Sequence, residues 1–223
     1  MSDNKKELKI IQTSDKSFSV YDKILDETYH SIHGALQESM HVYIDNGMRL
    51  IVCKDISILE VGLGTGLNAS LSILNAESHN LNVNYHAVEA YPLDSLFIDE
   101  VSLGYPDKIK IWMQQIGRLP FDKIQYINNN FSLTKHLIEL QTFNTLLKYD
   151  LIYYDAFAPN KQPEMWTYEI LSKIAGFLKP GGLITTYCAK GEVKRNLIKA
   201  GLLIDIKKGP PGKREMVVAI KPL

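Results

Sequence analysis

The clearest candidate for chemistry in this sequence is a glycine-rich segment with an acidic residue in front of it. In ISILEVGLGTGLN, residues 56–68, an apolar run leads directly into three glycines and then into a helix-like stretch. This pattern is typical of a buried parallel strand that turns sharply into a helix, where glycine lets the backbone approach a ligand closely. A tight turn with no ligand is the alternative. The residues predicted to contact a ligand here are Glu60, Gly62, Gly64, Gly66 and Asn68.

Polar side chains also follow three later apolar stretches. Glu89 ends the stretch 83–90, Asn129 lies in a run of three asparagines, and Asp155 follows DLIYY. Ligands of open α/β sheets bind beyond the carboxyl ends of the strands, so Glu89 is predicted to accept hydrogen bonds from ribose hydroxyls, and Asn129 to bind an adenine edge. A solvated acid and an asparagine turn are the respective alternatives. The sequence has no GxxxxGK[ST] segment, so a P-loop triphosphate site is not predicted.

Strands and helices that alternate along the chain must position these residues. Strands are predicted at 8–15, 17–25, 56–61, 83–90, 123–127, 150–154, 183–188, 202–207 and 215–220. Helices are predicted at 29–45, 67–76, 92–101, 109–116, 132–147, from Pro163 to before Lys179, and at 192–200. The order predicts an α/β fold with a doubly wound, mostly parallel sheet and one antiparallel edge strand. We expect residues 1–50 to form a small hairpin-and-helix extension and residues 51–223 to form the main domain.

Composition narrows the function classes. The 223 residues are 45% hydrophobic with a formal net charge of +0, which describes a globular chain with no overall attraction for nucleic acid. No apolar run is long enough to span a bilayer, and the charged N-terminus lacks the apolar core of a signal peptide. The two cysteines are far apart in sequence, without metal or redox spacing. We therefore expect a cytoplasmic protein with no membrane association and no metal.

Four motifs together resemble a known family. The order of elements is similar to the S-adenosylmethionine-dependent methyltransferase fold, with its Rossmann-like sheet, and EVGLGTGLN fits its glycine turn. DAFAPNKQPEMW (155–166) closely resembles the signature in the methyltransferase half of the MnmC family of bacterial tRNA wobble-uridine modification enzymes. GALQESMHVYI (34–44) and GKRE (212–215) are similar to further segments of that family. The resemblance covers roughly residues 14–220.

The resemblance implies methyl transfer from S-adenosylmethionine to the amine of 5-aminomethyl-uridine at the tRNA wobble position. Asp155 would orient the amine and accept its proton, and the remaining signature residues implied in substrate binding are Phe157, Pro159, Lys161 and Trp166. Core packing is the alternative for both Phe157 and Trp166, and a turn or helix-capping role is the alternative for Asp155. Because the chain ends at Leu223, we expect no flavin oxidase domain and no bound FAD. The family tends to carry Gly-Asp where this chain has Asn128-Asn129, although an amide oxygen can still accept a hydrogen bond from adenine.

A C-terminal segment carries a local positive charge, although the chain as a whole has no net charge. Residues 190–214 contain eight basic and two acidic residues, a net charge of +6, and Lys213 and Arg214 within the family-like motif are predicted to bind tRNA. A solvated charged face is the alternative for most of these lysines. Two other functions compete with tRNA methylation: a spermidine-synthase-like aminopropyl transferase, and a non-catalytic subunit that binds an adenosyl ligand or RNA.

Overall fold

Two sheets organise the computed structural model, which describes residues 7–223. Its strands are β1 (Leu8–Gln12), β2 (Phe18–Asp22), β3 (Glu27–Thr28), β4 (Asp55–Val61), β5 (Asn82–Glu89), β6 (Ile124–Asn128), β7 (Phe131–Leu137), β8 (Tyr149–Tyr154), β9 (Leu178–Thr186), β10 (Leu203–Lys208) and β11 (Glu215–Ile220). The α-helices are α1 (Ala35–Ser39), α2 (Leu67–His79), α3 (Ser95–Ser102), α4 (Asp107–Arg118), α5 (Tyr168–Phe177) and α6 (Gly191–Lys199). A π-helical segment (Met40–Asp45) and two 3₁₀ turns (Met48–Leu50 and Pro163–Trp166) complete the elements.

The larger sheet has the order β10-β11-β9-β8-β4-β5-β7-β6. Strands β4, β5, β7, β8 and β9 pair in parallel, whereas β11 is antiparallel to both of its neighbours and β6 is antiparallel to β7. The predicted fold class is confirmed. The predicted antiparallel strand is β11, which lies one position in from the edge, and β6 adds a second antiparallel strand at the opposite edge.

Side chains of neighbouring strand positions pack on opposite faces of this sheet. Leu59 packs in a core with α5 and α6, while Ile58 packs in a second core with α2 and the π-helical segment. A third core joins the N-terminal sheet to α3 and α4. Both faces of the central strands are therefore covered, as parallel sheets require. None of the helices in residues 7–223 is long and apolar enough to cross a membrane.

The predicted helix over residues 132–147 is wrong. Residues 131–137 instead form β7, which hydrogen-bonds to β5 on one side and to β6 on the other. Phe131 and Leu133 alternate with more polar positions, a period of two that favours a strand. The asparagine run is the turn of the β6–β7 hairpin, where the Asn130 N–H donates to Asn128 Oδ1 at 2.9 Å.

The predicted helix over residues 29–45 begins later than expected. Its first residues continue along β2, since the Tyr29 N–H donates to the Val20 carbonyl and the His30 N–H to Ser19 Oγ. Gly34 has a φ of +147°, so helical structure starts only at Ala35. Residues 1–6 of the predicted N-terminal extension lie outside the described residues, and the domain division at residue 50 stays a prediction.

Candidate functional site

A cavity of about 890 Å³ opens beyond the carboxyl ends of β4, β5, β7 and β8. The glycine turn after β4 forms its floor, and the loop after β8 forms one wall. The opposite wall comes from residues 21–32 of the N-terminal extension, and residues 138–141 after β7 close the far end. Four strand ends and one sequence-distant hairpin therefore enclose a single site, in the position where α/β sheets bind ligands.

The glycine turn presents main chain to this cavity. Gly62 and Gly64 line it with φ angles of +87° and +53°, in the left-handed region that favours glycine. A Cβ atom added to Gly62 would lie 2.8 Å from the backbone oxygen of Asp155. One added to Gly64 would lie 3.3 Å from the ring of Tyr29. At these two positions a side chain would be strained and would press on Asp155 or Tyr29, so the turn requires glycine there.

Glu89 lies beside the glycine turn at the end of β5. Its carboxylate accepts hydrogen bonds from the Gly64 N–H at 3.0 Å and from the Tyr91 N–H at 2.8 Å, one on each oxygen. A carboxylate offers about four lone-pair positions, so each oxygen keeps capacity for a further donor. The side chain is half-buried and lines the cavity. This arrangement suits a ligand that carries two adjacent hydroxyl groups.

Three residues predicted to contact the ligand lie beneath the cavity instead. Glu60 is 0% exposed and Asn68 is 2% exposed, and neither lines the cavity. Gly66 precedes α2 with a φ of +77°, and a Cβ atom there would contact Ile116. The cause is strand geometry: successive side chains point to opposite faces, so Glu60 points into the sheet's covering layer, whereas Val61 lines the cavity. The structure buries Glu60 and Asn68 below the cavity lining, and the ligand contacts of Glu60, Gly66 and Asn68 stay predictions.

Asp155 faces the cavity directly after β8. Its N–H donates to the Val61 carbonyl at 3.0 Å, and its Oδ2 accepts from Asn68 Nδ2 at 2.8 Å. Burial raises the pKa of the Asp155 carboxyl above its ordinary value, while the neighbouring His30 opposes that rise. Tyr43 also lies close enough to lower this pKa, although its buried hydroxyl has no hydrogen-bond partner of ordinary geometry among the described residues. Asp155 is therefore half-buried, held once through its main chain and once through its carboxylate, and open to the cavity.

Acidic residues dominate the lining of the cavity. The carboxylates are those of Asp22, Asp26, Glu27, Glu38, Glu89, Glu139, Asp155 and Glu164, against the basic side chains of His30, Lys161 and Lys213. Both lysines are already paired: Lys161 with Asp26 at 3.1 Å, and Lys213 with Glu38 at 2.6 Å. The uncompensated negative charge favours ligands that carry positive charge.

The remaining signature residues divide between cavity and core. Phe157 lines the cavity and packs edge-to-face on Tyr29, with ring centroids 5.1 Å apart. Lys161 lines it as well, whereas Pro159 belongs to the same loop without lining the cavity. Trp166 is 3% exposed and its Nε1 donates to the Phe157 carbonyl at 2.7 Å. Trp166 therefore packs in the core, as the alternative interpretation expects, and supports Phe157 through this hydrogen bond; its contact with substrate stays a prediction.

Lys213 and Arg214 have different surroundings although they are adjacent. Lys213 lies in the cavity wall, with its Nζ 3.7 Å from the centre of the Tyr187 ring and paired with Glu38. The Arg214 side chain is 93% exposed, and the Glu215 carboxylate lies 3.9 Å away. Of the two residues, Arg214 is the one that is free to meet a large anionic partner at the surface.

Asn129 lies at the wrong edge of the sheet for the predicted adenine contact. β5 and β7 pair in parallel with Val83 opposite Phe131, so the asparagine turn before β7 lies at the amino ends of these strands. There it borders a separate depression of about 360 Å³ with Glu77 and Asn80. The prediction took β6 for a parallel strand, which would have put its last residues at the carboxyl edge, whereas β6 pairs antiparallel to β7.

Sequence reasoning missed several cavity residues. His30 and Glu38 come from the N-terminal extension, Tyr187 follows β9, and Glu139 follows β7. The N-terminal residues carry no strand-end or glycine signal, so the sequence alone does not connect them to the site. Glu139 was placed in a predicted helix, and the alternation in β7 was the signal that would have moved it to a strand end.

Comparison with known proteins gives one family and consistent relatives. A sequence profile described as S-adenosyl-L-methionine-dependent methyltransferase matches residues 107–222. The tRNA 5-methylaminomethyl-2-thiouridine biosynthesis bifunctional protein MnmC of Leptospira borgpetersenii is 27% identical over 207 residues, which cover 86% of this chain and 32% of that protein. Its counterpart in Campylobacter fetus is 27% identical over 208 residues, covering 90% and 34% respectively. The chain spans about a third of the length of these relatives.

Solved structures agree on the fold. MNMC2 from Aquifex aeolicus superposes with a TM-score of 0.81 at 24% identity, covering 100% of this chain and 74% of that one. Spermidine synthase from Thermotoga maritima superposes with a TM-score of 0.62 at 14% identity, covering 99% and 71%. At these identities the two similarities establish the fold alone.

Proposed function

Because the chain belongs to the S-adenosyl-L-methionine-dependent methyltransferase family, we propose that it methylates the amine of a 5-aminomethyl-uridine at the wobble position of tRNA. The observation that carries this proposal is Asp155, a carboxylate held by Asn68 and open to an acidic cavity beside the glycine turn. The curated MnmC relatives support tRNA as the substrate. With a tRNA substrate, we expect the protein to act in the cytoplasm.

The cavity residues fit S-adenosylmethionine. Gly62 and Gly64 leave the main chain open to the ligand, and Glu89 offers free lone pairs for the ribose hydroxyls. We assign the contact with the adenine amine, first predicted for Asn129, to Glu139, which follows β7 and lines the cavity. The excess of carboxylates favours a ligand with a positively charged sulfonium. When bound, S-adenosylmethionine supplies an electrophilic methyl group.

Asp155 would prepare the amine for attack. An alkyl ammonium has a pKa of roughly 10 and no lone pair, so it must lose a proton before its nitrogen can bond to the methyl carbon. The Asp155 carboxylate attracts the ammonium, orients it and accepts or relays that proton. With the cofactor held by the glycine turn and Glu89, Asp155 would keep the amine nitrogen directed at the methyl group that the cofactor supplies. Alignment in a closed cavity supplies the larger part of the acceleration.

The walls of the cavity would position the uridine. Phe157 presents an aromatic ring suited to stacking on the uracil, and its packing on Tyr29 fixes the ring's orientation. Lys161 and Lys213 are paired with carboxylates, so they contribute shape and polar contacts more than free charge. Arg214 and other exposed basic residues of segment 190–214 would contact tRNA phosphates outside the cavity.

A second candidate function also draws on the acidic cavity. A polyamine carries several positive charges, so a spermidine-synthase-like aminopropyl transfer would use the same carboxylates and the same strand-end aspartate. The two functions differ in the acceptor and in the group transferred, so one assay separates them. A non-catalytic subunit would tolerate loss of Asp155, which neither enzyme would.

The deciding experiment is nucleoside mass spectrometry of tRNA from cells that lack this protein. We expect 5-aminomethyl-uridine to accumulate in place of its methylated form, and the wild-type gene to restore methylation while an Asp155→Asn gene does not. The purified protein is then incubated with S-adenosylmethionine and the undermethylated tRNA, and in parallel with decarboxylated S-adenosylmethionine and putrescine. Unchanged tRNA modification together with aminopropyl transfer to putrescine would overturn the proposal in favour of the second function.

A further inference from the structure

Two distant segments hold the ammonium group of Lys213 in the cavity wall. Its Nζ donates to Glu38 Oε1 at 2.6 Å and lies 3.7 Å from the centre of the Tyr187 ring. Glu38 belongs to α1 and Tyr187 follows β9, and all three side chains line the cavity. A carboxylate and the face of an aromatic ring both attract an alkylammonium. Lys213 therefore supplies the ammonium that these two groups surround.

Glu38 depends on this positive charge. Its side chain is only 6% exposed, and its other oxygen, Oε2, accepts a hydrogen bond from the Ser31 N–H at 2.7 Å. A buried carboxylate that loses its positive partner is costly, because little water reaches it. If the Lys213 ammonium were removed, Glu38 would therefore favour another cation in the same place.

Tyr187 is fixed so that its ring faces the ammonium. Its hydroxyl donates to the carbonyl of Ala156, the residue after Asp155, at 2.8 Å. Burial raises the pKa of this hydroxyl well above its ordinary value, and the charge of Asp155 raises it further, so the phenol stays neutral. The face of a neutral aromatic ring carries negative charge density and attracts cations. The ring thus lies near the carboxylate that is proposed to hold the acceptor amine.

The loop that carries Lys213 is packed against the N-terminal extension. Gly212 has a φ of +82°, and a Cβ atom there would clash with the ring of His33. The Lys213 N–H donates to the Pro210 carbonyl at 2.9 Å, which closes the loop into a turn. The main chain therefore directs the Lys213 side chain into the cavity wall.

Lys161 forms a more exposed ion pair in the same cavity. Its Nζ lies 3.1 Å from Asp26 Oδ2, but the Asp26 side chain is 75% exposed. Water therefore hydrates that carboxylate with or without the lysine. Of these two cavity lysines, Lys213 is the one that neutralises a buried carboxylate.

We propose that Glu38 and the face of Tyr187 form a second ammonium site of the cavity, and that Lys213 is a specificity-determining residue because it fills this site. The ligand class of the site is a primary alkylammonium, the class to which the proposed acceptor also belongs. With the site filled, the acceptor amine is left to pair with Asp155. The ammonium site itself is independent of the proposed function, whereas its effect on specificity rests on the acceptor being an amine.

Removing the lysine side chain should open the site to an added ammonium. n-Propylammonium supplies the carbons and the nitrogen that Lys213→Ala lacks. By isothermal titration at constant ionic strength, we expect it to bind Lys213→Ala roughly tenfold or more tightly than wild type. It should also raise the melting temperature of Lys213→Ala, and sodium chloride at the same concentration should not.

Lys161→Ala is the matched control, since it removes the same charge from the same cavity without leaving a buried carboxylate unpaired. n-Propylammonium should bind this variant as weakly as wild type. The double variant Glu38→Gln with Lys213→Ala should also show no gain. Binding to Lys161→Ala as tight as to Lys213→Ala would reduce the effect to net charge and overturn the site. A folded Lys213→Ala protein that gains no affinity would overturn it as well.

NMR of the wild-type protein with ¹⁵N-labelled lysine tests the occupancy even if Lys213→Ala does not fold. An ammonium enclosed by Glu38 and Tyr187 is shielded from water, so its protons should exchange slowly. We expect one slowly exchanging ammonium resonance to be missing from Lys213→Arg and present in Lys161→Arg. If Lys213→Arg loses no such resonance, Lys213 does not fill the site and the proposal fails.

Kinetics with added amine test the effect on specificity. An acceptor amine in the vacated site is held away from Asp155, and such unproductive binding lowers kcat and KM by the same factor. We expect both to fall roughly fivefold in Lys213→Ala, with kcat/KM for undermethylated tRNA unchanged. Saturating n-propylammonium should restore kcat by refilling the site. A fall in kcat/KM that the amine does not reverse would make Lys213 structural and overturn the specificity role.

The two proposals fail in different ways. If Lys213→Ala binds n-propylammonium but the wild-type protein does not methylate 5-aminomethyl-uridine tRNA, the proposed function fails and the ammonium site stands. If the wild-type protein methylates this tRNA but Lys213→Ala gains no affinity for n-propylammonium, the ammonium site fails alone.

Discussion

The two edges of the large sheet both carry polar side chains, but they use them differently. At the carboxyl edge, Glu89 and Asp155 each hold hydrogen bonds from the protein and still face a large cavity. At the amino edge, Asn130 donates to Asn128 and to Asn80, beside a shallow depression. The carboxylates at the carboxyl edge are held in place and can still accept further hydrogen bonds. The asparagines at the amino edge mainly hydrogen-bond to one another.

Strand direction, more than residue type, decides which of these polar residues meet. An asparagine after a strand was as plausible a ligand contact as a glutamate after a strand. Only the pairing of β6 antiparallel to β7 puts Asn129 at the opposite edge from Glu89. Variants at the two edges test whether this separation in space is also a separation of function.

Gly64→Val should have the largest effect. A β-branched side chain is strained at a φ of +53° and occupies the space in which the main chain would meet the cofactor. We expect the melting-temperature increase produced by S-adenosylhomocysteine to disappear. Asn129→Ala, at the opposite edge, should keep the full increase. If S-adenosylhomocysteine stabilised the Gly64→Val protein as much as wild type, the cofactor would not bind at this edge of the sheet.

Asp155→Asn should reduce methylation roughly 100-fold or more, because it removes the charge and the proton acceptor while keeping the size of the side chain. Cofactor affinity should stay within a few-fold of wild type. Raising the pH should restore part of the rate, since more of the amine is then already deprotonated. Single-turnover rates on undermethylated tRNA measure this, and a wild-type rate would make Asp155 structural.

Glu139→Ala should weaken S-adenosylhomocysteine binding roughly tenfold, the usual scale for a hydrogen bond to a charged group. Its counterpart Asn129→Ala should leave the affinity unchanged, so isothermal titration of both variants compares the two edges directly. If the asparagine variant lost affinity and the glutamate variant did not, the assignment of edges would be reversed.

A histidine pair on β5 and β7 makes the stability of these strands pH-dependent. His86 Nδ1 lies 2.9 Å from His136 Nε2, and burial lowers the pKa of His86 from 6.5 to about 4. Since the unfolded chain binds this proton first, the free energy of unfolding should fall by roughly 2–3 kcal/mol as the pH drops from about 6.5 to 4. Urea unfolding across that range measures it. The loss should be smaller in His86→Gln and unchanged in His79→Gln, whose histidine is exposed.

Arg214→Ala should have the smallest effect, a few-fold loss of tRNA affinity with a shallower dependence on salt, because one exposed phosphate contact is removed. Lys108→Ala, which removes an exposed charge on α4, is the control. Filter binding at several salt concentrations gives both slopes. Equal slopes for Arg214→Ala and wild type would show that tRNA does not contact Arg214.

The strand ends that the sequence predicted correctly depend on local signals. The glycine turn, the strand ending at Glu89 and the strand before Asp155 are each marked by an apolar run that ends in a glycine or an acid. The misplaced residues depend on pairing between distant strands or on which face a side chain takes. To place Asn129 correctly, one must know which strand β6 pairs with. To place Glu60 correctly, one must know which face of β4 its side chain takes. His30 and Glu38 reach the cavity only because the N-terminal extension docks beside it, and no local sequence pattern predicts that docking.

The frame of this site consists of main-chain atoms. The Gly62 N–H donates to the Val88 carbonyl and the Asp155 N–H to the Val61 carbonyl, both at 3.0 Å, so the ends of β4, β5 and β8 are tied to one another by peptide groups. Peptide groups are present whatever the side chains are. Substitutions can therefore replace much of the lining and change what the cavity accepts, while the spacing between the glycine turn and Asp155 is kept by the backbone. Position 62 is the exception to this variation, because even a methyl group there would push the glycine turn away from the loop that begins at Asp155.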